Sequence, residues 1–232
     1  MSWTDVWRKK GDTAPPRPGL SDLMTLNGYD TGAGYAEFSA MEEFSGRCAG
    51  RLGIEPGTEI LEIGCGGGAW LFHQYNAGIR VSGVDISPGH LNVARTLMPA
   101  GRFACANATS LPFAADSFDV VFAGACFLYL PDENAADAAF GEIEKALRPG
   151  GRGAITDLPD LATRADAERI RRGALGKGEY DRMYAGLEHQ YFERDRMIQN
   201  AQRLGLRANA TTQEIAGYGN SPYRFNIWFE KP

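Results

Sequence analysis

The densest chemistry in the sequence lies at Ile60-Leu61-Glu62-Ile63-Gly64-Cys65-Gly66-Gly67-Gly68. An apolar strand ends there, and the chain turns through glycines into a helix expected from Ala69. Glycine at four of the five positions from 64 to 68 keeps side chains off the turn, so a ligand can lie against the backbone. The helix beyond offers unpaired N–H groups and a partial positive charge. About 20 residues on, Asp85 closes the next apolar strand, where a carboxylate can accept from two ribose hydroxyls. Gly64, Gly66 and Ala69 also satisfy the G-x-G-x-x-A spacing of dinucleotide sites. Together these point to an adenosine-containing ligand and leave NAD and S-adenosylmethionine (SAM) both open.

These residues need a rigid frame, and the patterning supplies one. Short apolar strands are expected at 58–62, 79–84, 102–106, 118–123 and 153–156, with helices between them at 69–75, from Ser87-Pro88, and at 132–147. Ser87 suits a helix cap and Pro88 the first helical position. Phe38, Met41, Phe44 and Cys48 recur at helical spacing over 36–52. Strands alternating with helices argue a doubly wound, mostly parallel α/β sheet. Residues 1–35, with prolines at 15, 16 and 18, read as an arm. Trp3, Trp7, Tyr29 and Tyr35 make it too aromatic for a free tail, so it is expected to fold back on the body. Residues 161–204 read as helical and charge-rich. Two final strands are expected at 206–215 and 223–229.

Composition narrows the function. The chain has 232 residues, 24 Lys or Arg and 29 Asp or Glu, for a formal charge of −5. Net negative charge disfavours nucleic acid and anionic membrane surfaces as partners. No apolar run reaches the length of a membrane helix, and the start lacks a leader's apolar stretch. The four cysteines show no metal-binding or redox spacing, which suits reduced thiols in a cytoplasmic protein with no metal. Residues 163–207 hold ten basic and seven acidic residues. Most read as a solvated face. A sharper reading seats an anionic substrate group on Arg164, Arg171, Arg172 or Arg182, with Arg172 the position selected.

Five segments taken together decide between the ligands. Glu62-Ile63-Gly64-Cys65-Gly66-Gly67-Gly68, Gly83-Val84-Asp85-Ile86-Ser87, Asn107-Ala108 with Leu111-Pro112-Phe113, Asp116-Ser117-Phe118-Asp119-Val120-Val121 and Leu147-Arg148-Pro149-Gly150-Gly151 resemble, in order and spacing, the class I SAM-dependent methyltransferases. The resemblance implies a Rossmann-like, doubly wound sheet of seven strands with a reversed last strand. It implies one domain over 1–232: an arm at 1–35, a SAM-binding core at 55–158, a helical substrate lid at 159–205 and a strand pair at 206–232. It implies methyl transfer from SAM to an oxygen or nitrogen of a small molecule by in-line displacement, leaving S-adenosylhomocysteine. An NAD-dependent oxidoreductase and a non-catalytic SAM-binding subunit are the alternatives.

Carried over by position, the resemblance implies that Gly64, Cys65 and Gly66 line the methionine part, with Glu62 in the same motif. Asp85 would hold the ribose, Ile86 would pack on adenine, and Asn107 and Ala108 would meet its edge. Ala123 would sit beside the methionine amino group. Asn107 stands where the family often has Asp, and would accept from adenine through its carbonyl. Tyr29 and Tyr35 are expected to close over the cofactor from the arm. Tyr129 and His189 are the candidate catalytic residues, because a hydroxyl acceptor needs a base within reach. Tyr191, Arg172 and Tyr223 join them as candidate substrate contacts.

Overall fold

The apolar runs pair into a single sheet. Its strands are β1 (Glu59–Ile63), β2 (Arg80–Asp85), β3 (Arg102–Cys105), β4 (Phe118–Gly124), β5 (Leu147–Pro159), β6 (Arg207–Thr212) and β7 (Arg224–Glu230), in the order β3-β2-β1-β4-β5-β7-β6. β1 to β5 run parallel, and β7 is antiparallel to both of its neighbours. The computed structural model describes residues 1–30 and 32–232, with Leu20, Ser21 and Lys177 described by backbone alone.

Nine helices surround the sheet among the described residues. Three belong to the amino-terminal third: α1 (Trp3–Asp12), α2 (Leu20–Leu26) and α3 (Phe38–Leu52). Then come α4 (Ala69–Asn76), α5 (Pro88–Leu97), α6 (Glu133–Ala146), α7 (Arg164–Leu175), α8 (Lys177–Met183) and α9 (Arg194–Arg203). Alternation along the strands makes two cores. Leu61, Ile63 and Val121 face Phe140, Ile143 and Met197 on one side. Ile60, Val120 and Phe122 face Trp70, Leu71 and Leu91 on the other. No helix is long and apolar enough to cross a membrane among the described residues.

The strand order reverses between β1 and β4. In an open α/β sheet the crevice outside the carboxyl ends at that switch is where a ligand binds. Ile63-Gly64 and Gly124-Ala125 flank it.

Two expectations differ from the structure. The fifth strand was expected over 153–156 but spans Leu147–Pro159. Arg148-Pro149-Gly150-Gly151 does end α6, yet the backbone stays paired, because the Gly150 N–H donates to the Lys231 carbonyl at 2.7 Å and Lys231 returns a bond to Gly151 at 2.9 Å. A partner some eighty residues away is invisible to local patterning. The stretch 161–204 is also not continuously helical. After α8 the chain runs irregularly to Phe192, and α9 packs its Met197 and Ala201 into the sheet core instead of joining a lid.

The arm folds back, as its aromatics require. Ser2 and Asp5 form a capping box that starts α1. α1 lies across the start of α5, and Gly11 and Gly89 meet there with no room for a side chain. A Cβ on Gly89 would stand 2.5 Å from the Gly11 carbonyl carbon, and that neighbour is backbone and cannot rotate away. Gly89→Ala should therefore lift α1 from α5. Overpacking of this kind costs about 1–3 kcal/mol. Denaturant unfolding should show that loss, and limited proteolysis should cut first in residues 13–19.

Candidate cofactor and acceptor site

At the switch point a cleft opens over the glycine turn, about 920 Å³ including its open mouth. The Gly64 and Cys65 amides donate to the Val84 carbonyl at 2.8 and 3.0 Å, which fixes the turn against β2. Gly64 and Gly66 have φ of 68° and 53°, in the left-handed region. A Cβ on Gly64 would lie 2.4 Å from that of Cys126, and one on Gly66 would lie 2.6 Å from Asn27 Oδ1. The positive φ favours glycine at both positions, and at Gly64 the Cys126 Cβ, close to the backbone, leaves no room for a side chain as well.

Asp85 closes β2 with its carboxylate tied down. The Gly66 N–H donates to Oδ2 at 2.9 Å and the Ser87 N–H to Oδ1 at 2.8 Å. Burial pushes its pKa up, and those two amides oppose the shift. Each oxygen keeps lone-pair capacity toward the cleft for a further donor. Ile86, Asn107 and Ala108 line the same cleft. Asn107 departs from expectation in one respect. Its Oδ1 accepts from the Thr109 N–H and hydroxyl, both at 3.1 Å, so its amide NH₂ and not its carbonyl is free.

The remaining positions expected at the cofactor divide. Tyr29 lines the cleft, its ring edge-on to that of Tyr218 with centroids 5.9 Å apart. Tyr35 does not. It is 46% exposed, and its hydroxyl donates to Glu37 at 2.6 Å. Ala123 is fully buried in the core, and Gly124 and Ala125 line the cleft in its place. Strand alternation explains this, since the neighbour of a cleft residue faces the opposite way. The Cys65 side chain turns into the core against Gly83, leaving only its backbone near the turn. Glu62 is buried beneath the turn and outside the cleft. Burial and the nearby Asp85 raise its pKa, and the Leu71 amide of α4 opposes them.

The arm contributes residues that motif reading missed. Asn27 accepts from the Gly67 N–H at 3.2 Å, and Trp7 covers the cleft. Arg8 donates to the Ile86 carbonyl at 3.1 Å. His90 is buried at the cleft with Nε2 3.1 Å from the Leu26 carbonyl.

Past Tyr129 and Ala125 the cleft continues into a second, larger chamber of about 1550 Å³ including its mouth. Its wall is aromatic. Trp3 stacks on His189 with centroids 4.9 Å apart and meets Tyr129 at 4.7 Å. The Trp3 indole N–H donates to the Glu188 carbonyl at 2.9 Å. Its floor is charged. Asp157, with φ 61°, accepts from Gln213 at 2.6 Å and from the Tyr218 hydroxyl at 3.0 Å. Arg224 Nε stands 3.7 Å from the same carboxylate. Neither Asp157 nor Arg224 belongs to a motif. They meet only because β5 pairs with β7.

Both candidate catalytic residues reach this chamber, in altered roles. Arg171 Nη1 bonds His189 Nδ1. A guanidinium only donates, so Nδ1 accepts and the ring proton sits on Nε2. His189 thus presents a donor to the chamber and no free base. Tyr129 is half-buried, packed between Trp3 and Trp7, and the loss of water around its hydroxyl raises its pKa. It stays a neutral phenol.

Three expected substrate contacts lie outside the chamber lining. The Tyr191 hydroxyl accepts from Arg171 at 2.6 Å, behind the wall. Arg172 is exposed and paired with Asp181 at 2.8 Å. Tyr223 is half-buried in the turn before β7. Among the described residues, no group of three or more His, Cys, Asp or Glu could hold a metal ion.

Known proteins share this architecture. Residues 60–151 match the model of a family described as a methyltransferase domain. The 27-O-demethylrifamycin SV methyltransferase of Amycolatopsis mediterranei is 32% identical over 222 residues, covering 83% of this chain and 80% of that protein. Methyltransferase GfsG of Streptomyces halstedii is 38% identical over 128 residues, 49% of this chain and 44% of that protein. The chain thus spans under half the length of that relative and four-fifths of the first. A SAM-dependent methyltransferase structure from Methanosarcina mazei superposes with a TM-score of 0.61 at 20% identity, over 77% of this chain and 94% of that one.

The buried imidazoles make stability depend on pH. Burial, then Arg171, holds His189 well below the ordinary 6.5, and burial lowers His90 as well. Above that ordinary value both states are neutral and the fold keeps its full stability. As pH falls through it, the unfolded chain binds protons that the folded chain refuses, so stability declines toward acid. Glu62, Asp85 and Asp157, whose carboxyl pKa values burial raises, act in the opposite sense, so the test is a difference: between about pH 7 and 5.5 the melting temperature of the unsubstituted protein should fall relative to that of His189→Gln, with the share of His90 kept in both.

Proposed function

This chain belongs to the class I SAM-dependent methyltransferase family, and on that premise we propose that it methylates a hydroxyl oxygen of a small molecule bearing an anionic group. The observation that carries the reading is the continuity of two compartments. A nucleoside-sized cleft over Gly64, Gly66 and Asp85 opens, at Ala125 and Tyr129, into a chamber with aromatic walls and a charged floor. The side-chain-free turn and the clasped carboxylate fit SAM. Asp85 would take the ribose hydroxyls, and the free NH₂ of Asn107 would face the adenine edge.

Bound there, SAM supplies an already activated methyl group. The chain's own task is to align an acceptor, exclude water and take up a proton. A neutral amine needs no base, but a hydroxyl does. Asp157 is suited to that role. It is buried at the chamber floor, and burial raises its pKa above the ordinary carboxylate value despite Arg224, Gln213 and Tyr218 beside it, whereas Asp30, the other acidic lining residue, is only half-buried and paired with Lys10 at 3.3 Å. Relatives named as acting on oxygen support the same choice, among them the erythromycin 3''-O-methyltransferase of Saccharopolyspora erythraea. Trp3, Trp7 and Tyr129 cover the junction and exclude water.

Two measurements test this reading. Asp85→Ala should weaken SAM and S-adenosylhomocysteine binding in calorimetry by about 1–3 kcal/mol, because two ribose hydroxyls lose a charged acceptor. Unchanged affinity would contradict the ribose assignment. With methyl-labelled SAM and a panel of hydroxylated acceptors that includes 27-O-demethylrifamycin SV, label should appear as a methyl ether. Asp157→Asn should slow that transfer by about 10²–10⁴-fold and leave S-adenosylhomocysteine affinity intact. Methylation at nitrogen would overturn the choice of oxygen.

A further inference from the structure

The chamber carries the opposite charge to the chain. The whole sequence is −5, yet the charged residues lining the chamber are Lys9, Lys10, Arg171 and Arg224 against Asp30 and Asp157, an excess of two positive charges (four minus two). Lys10 is paired with Asp30, and Arg224 faces Asp157. Lys9 is exposed to water. That leaves Arg171.

Arg171 is half-buried, and among the described residues no carboxylate pairs with it. Its two terminal nitrogens bond His189 and the Tyr191 hydroxyl. Burial keeps the first of these partners neutral by lowering its pKa and the second by raising it, so neither compensates the charge. Arg171 Nε and Arg224 Nη1 are buried and have no hydrogen-bond partner among the described residues. An uncompensated cation under an aromatic wall is costly unless a ligand brings the anion. A planar carboxylate matches the guanidinium's donors better than any neutral group. Tyr129, at the junction, lies within the field of all three charges, Arg224, Asp157 and Arg171.

We infer that the acceptor is a hydroxy acid whose carboxylate sits on Arg171 while its hydroxyl turns to Asp157. The inference rests on the methyltransferase reading above. In the reaction the hydroxyl oxygen forms a bond to the methyl carbon and the methyl–sulfur bond breaks. The hydroxyl proton passes to Asp157, and S-adenosylhomocysteine is left. The carboxylate is the handle and is not methylated.

The test uses protein saturated with S-adenosylhomocysteine and two probes of one shape, 4-hydroxybenzoate and 4-hydroxybenzamide, read by calorimetry and by quenching of tryptophan fluorescence. The benzoate should bind about tenfold or more tightly than the amide. Arg171→Gln should erase the preference, Arg171→Lys should keep part of it, and Arg172→Gln should keep it whole. In the unsubstituted protein the benzoate should also raise the titration midpoint of His189 seen by NMR, because an anion offsets the neighbouring guanidinium. Equal affinity for the two probes, no binding of the benzoate, or a preference that survives Arg171→Gln would overturn the seat, as would a methyl ester product. Titration of S-adenosylhomocysteine on the same samples separates the failures. Binding without a benzoate preference removes the seat alone, whereas no binding removes the methyltransferase reading.

Discussion

Two backbone amides hold one carboxylate, and the site hangs from that clasp. Asp85 receives the Gly66 N–H from the β1–α4 turn and the Ser87 N–H from the start of α5. It locks the two turns at the switch point to each other. With α5 fixed, Gly89 becomes a flat bed for Gly11, and α1 can lie down. α1 in turn carries Trp7 over the cleft and Trp3 into the wall of the chamber. A buried carboxylate is expensive, which is why its pKa rises. The structure tolerates it because the amides of the turns have no other partners and a ligand's hydroxyls can complete the shell.

What the sequence made legible followed from local rules. Apolar runs became strands, Ser87 and Pro88 opened a helix, and glycines at 64 and 66 marked a turn that admits no side chain. Asp85 followed from its place at the end of β2. At Ala123 and Arg172 the right segment was chosen with the wrong face. Ala123 is one residue from the cleft on a strand whose faces alternate. Arg172 is one residue from Arg171 on a helix, about 100° around its axis. Tyr35 lies just beyond the short helical turn at Gly32–Gly34, which carries it away from Tyr29. Tyr129 and His189 do reach the chamber. Their chemistry there is set by burial and by Arg171, which no spacing rule reveals.

The floor of the chamber was not legible because it is made by distant pairing. Asp157 ends up beside Arg224 through the antiparallel contact of β5 with β7, some seventy residues apart in sequence. The register of that contact breaks between Ile155 and Leu158, and Asp157 takes a left-handed backbone within the break. Ala125, at the end of the neighbouring strand, is left-handed too, with φ 50°. Its N–H donates to the Thr156 carbonyl at 3.2 Å. Two non-glycine residues held this way on adjacent strand ends mark a place where packing overrides backbone preference, and such strain gathers at functional sites.

One feature of α1 joins the two compartments. Trp3 and Trp7 are four residues apart and share one face of a rigid helix. Trp3 belongs to the chamber, while Trp7 borders both chamber and cleft. A single lever therefore spans both ligands, and neither compartment can be uncovered without disturbing the other. A ligand in either compartment that holds α1 down bears on the other, and any such coupling acts by reciprocity equally in both directions.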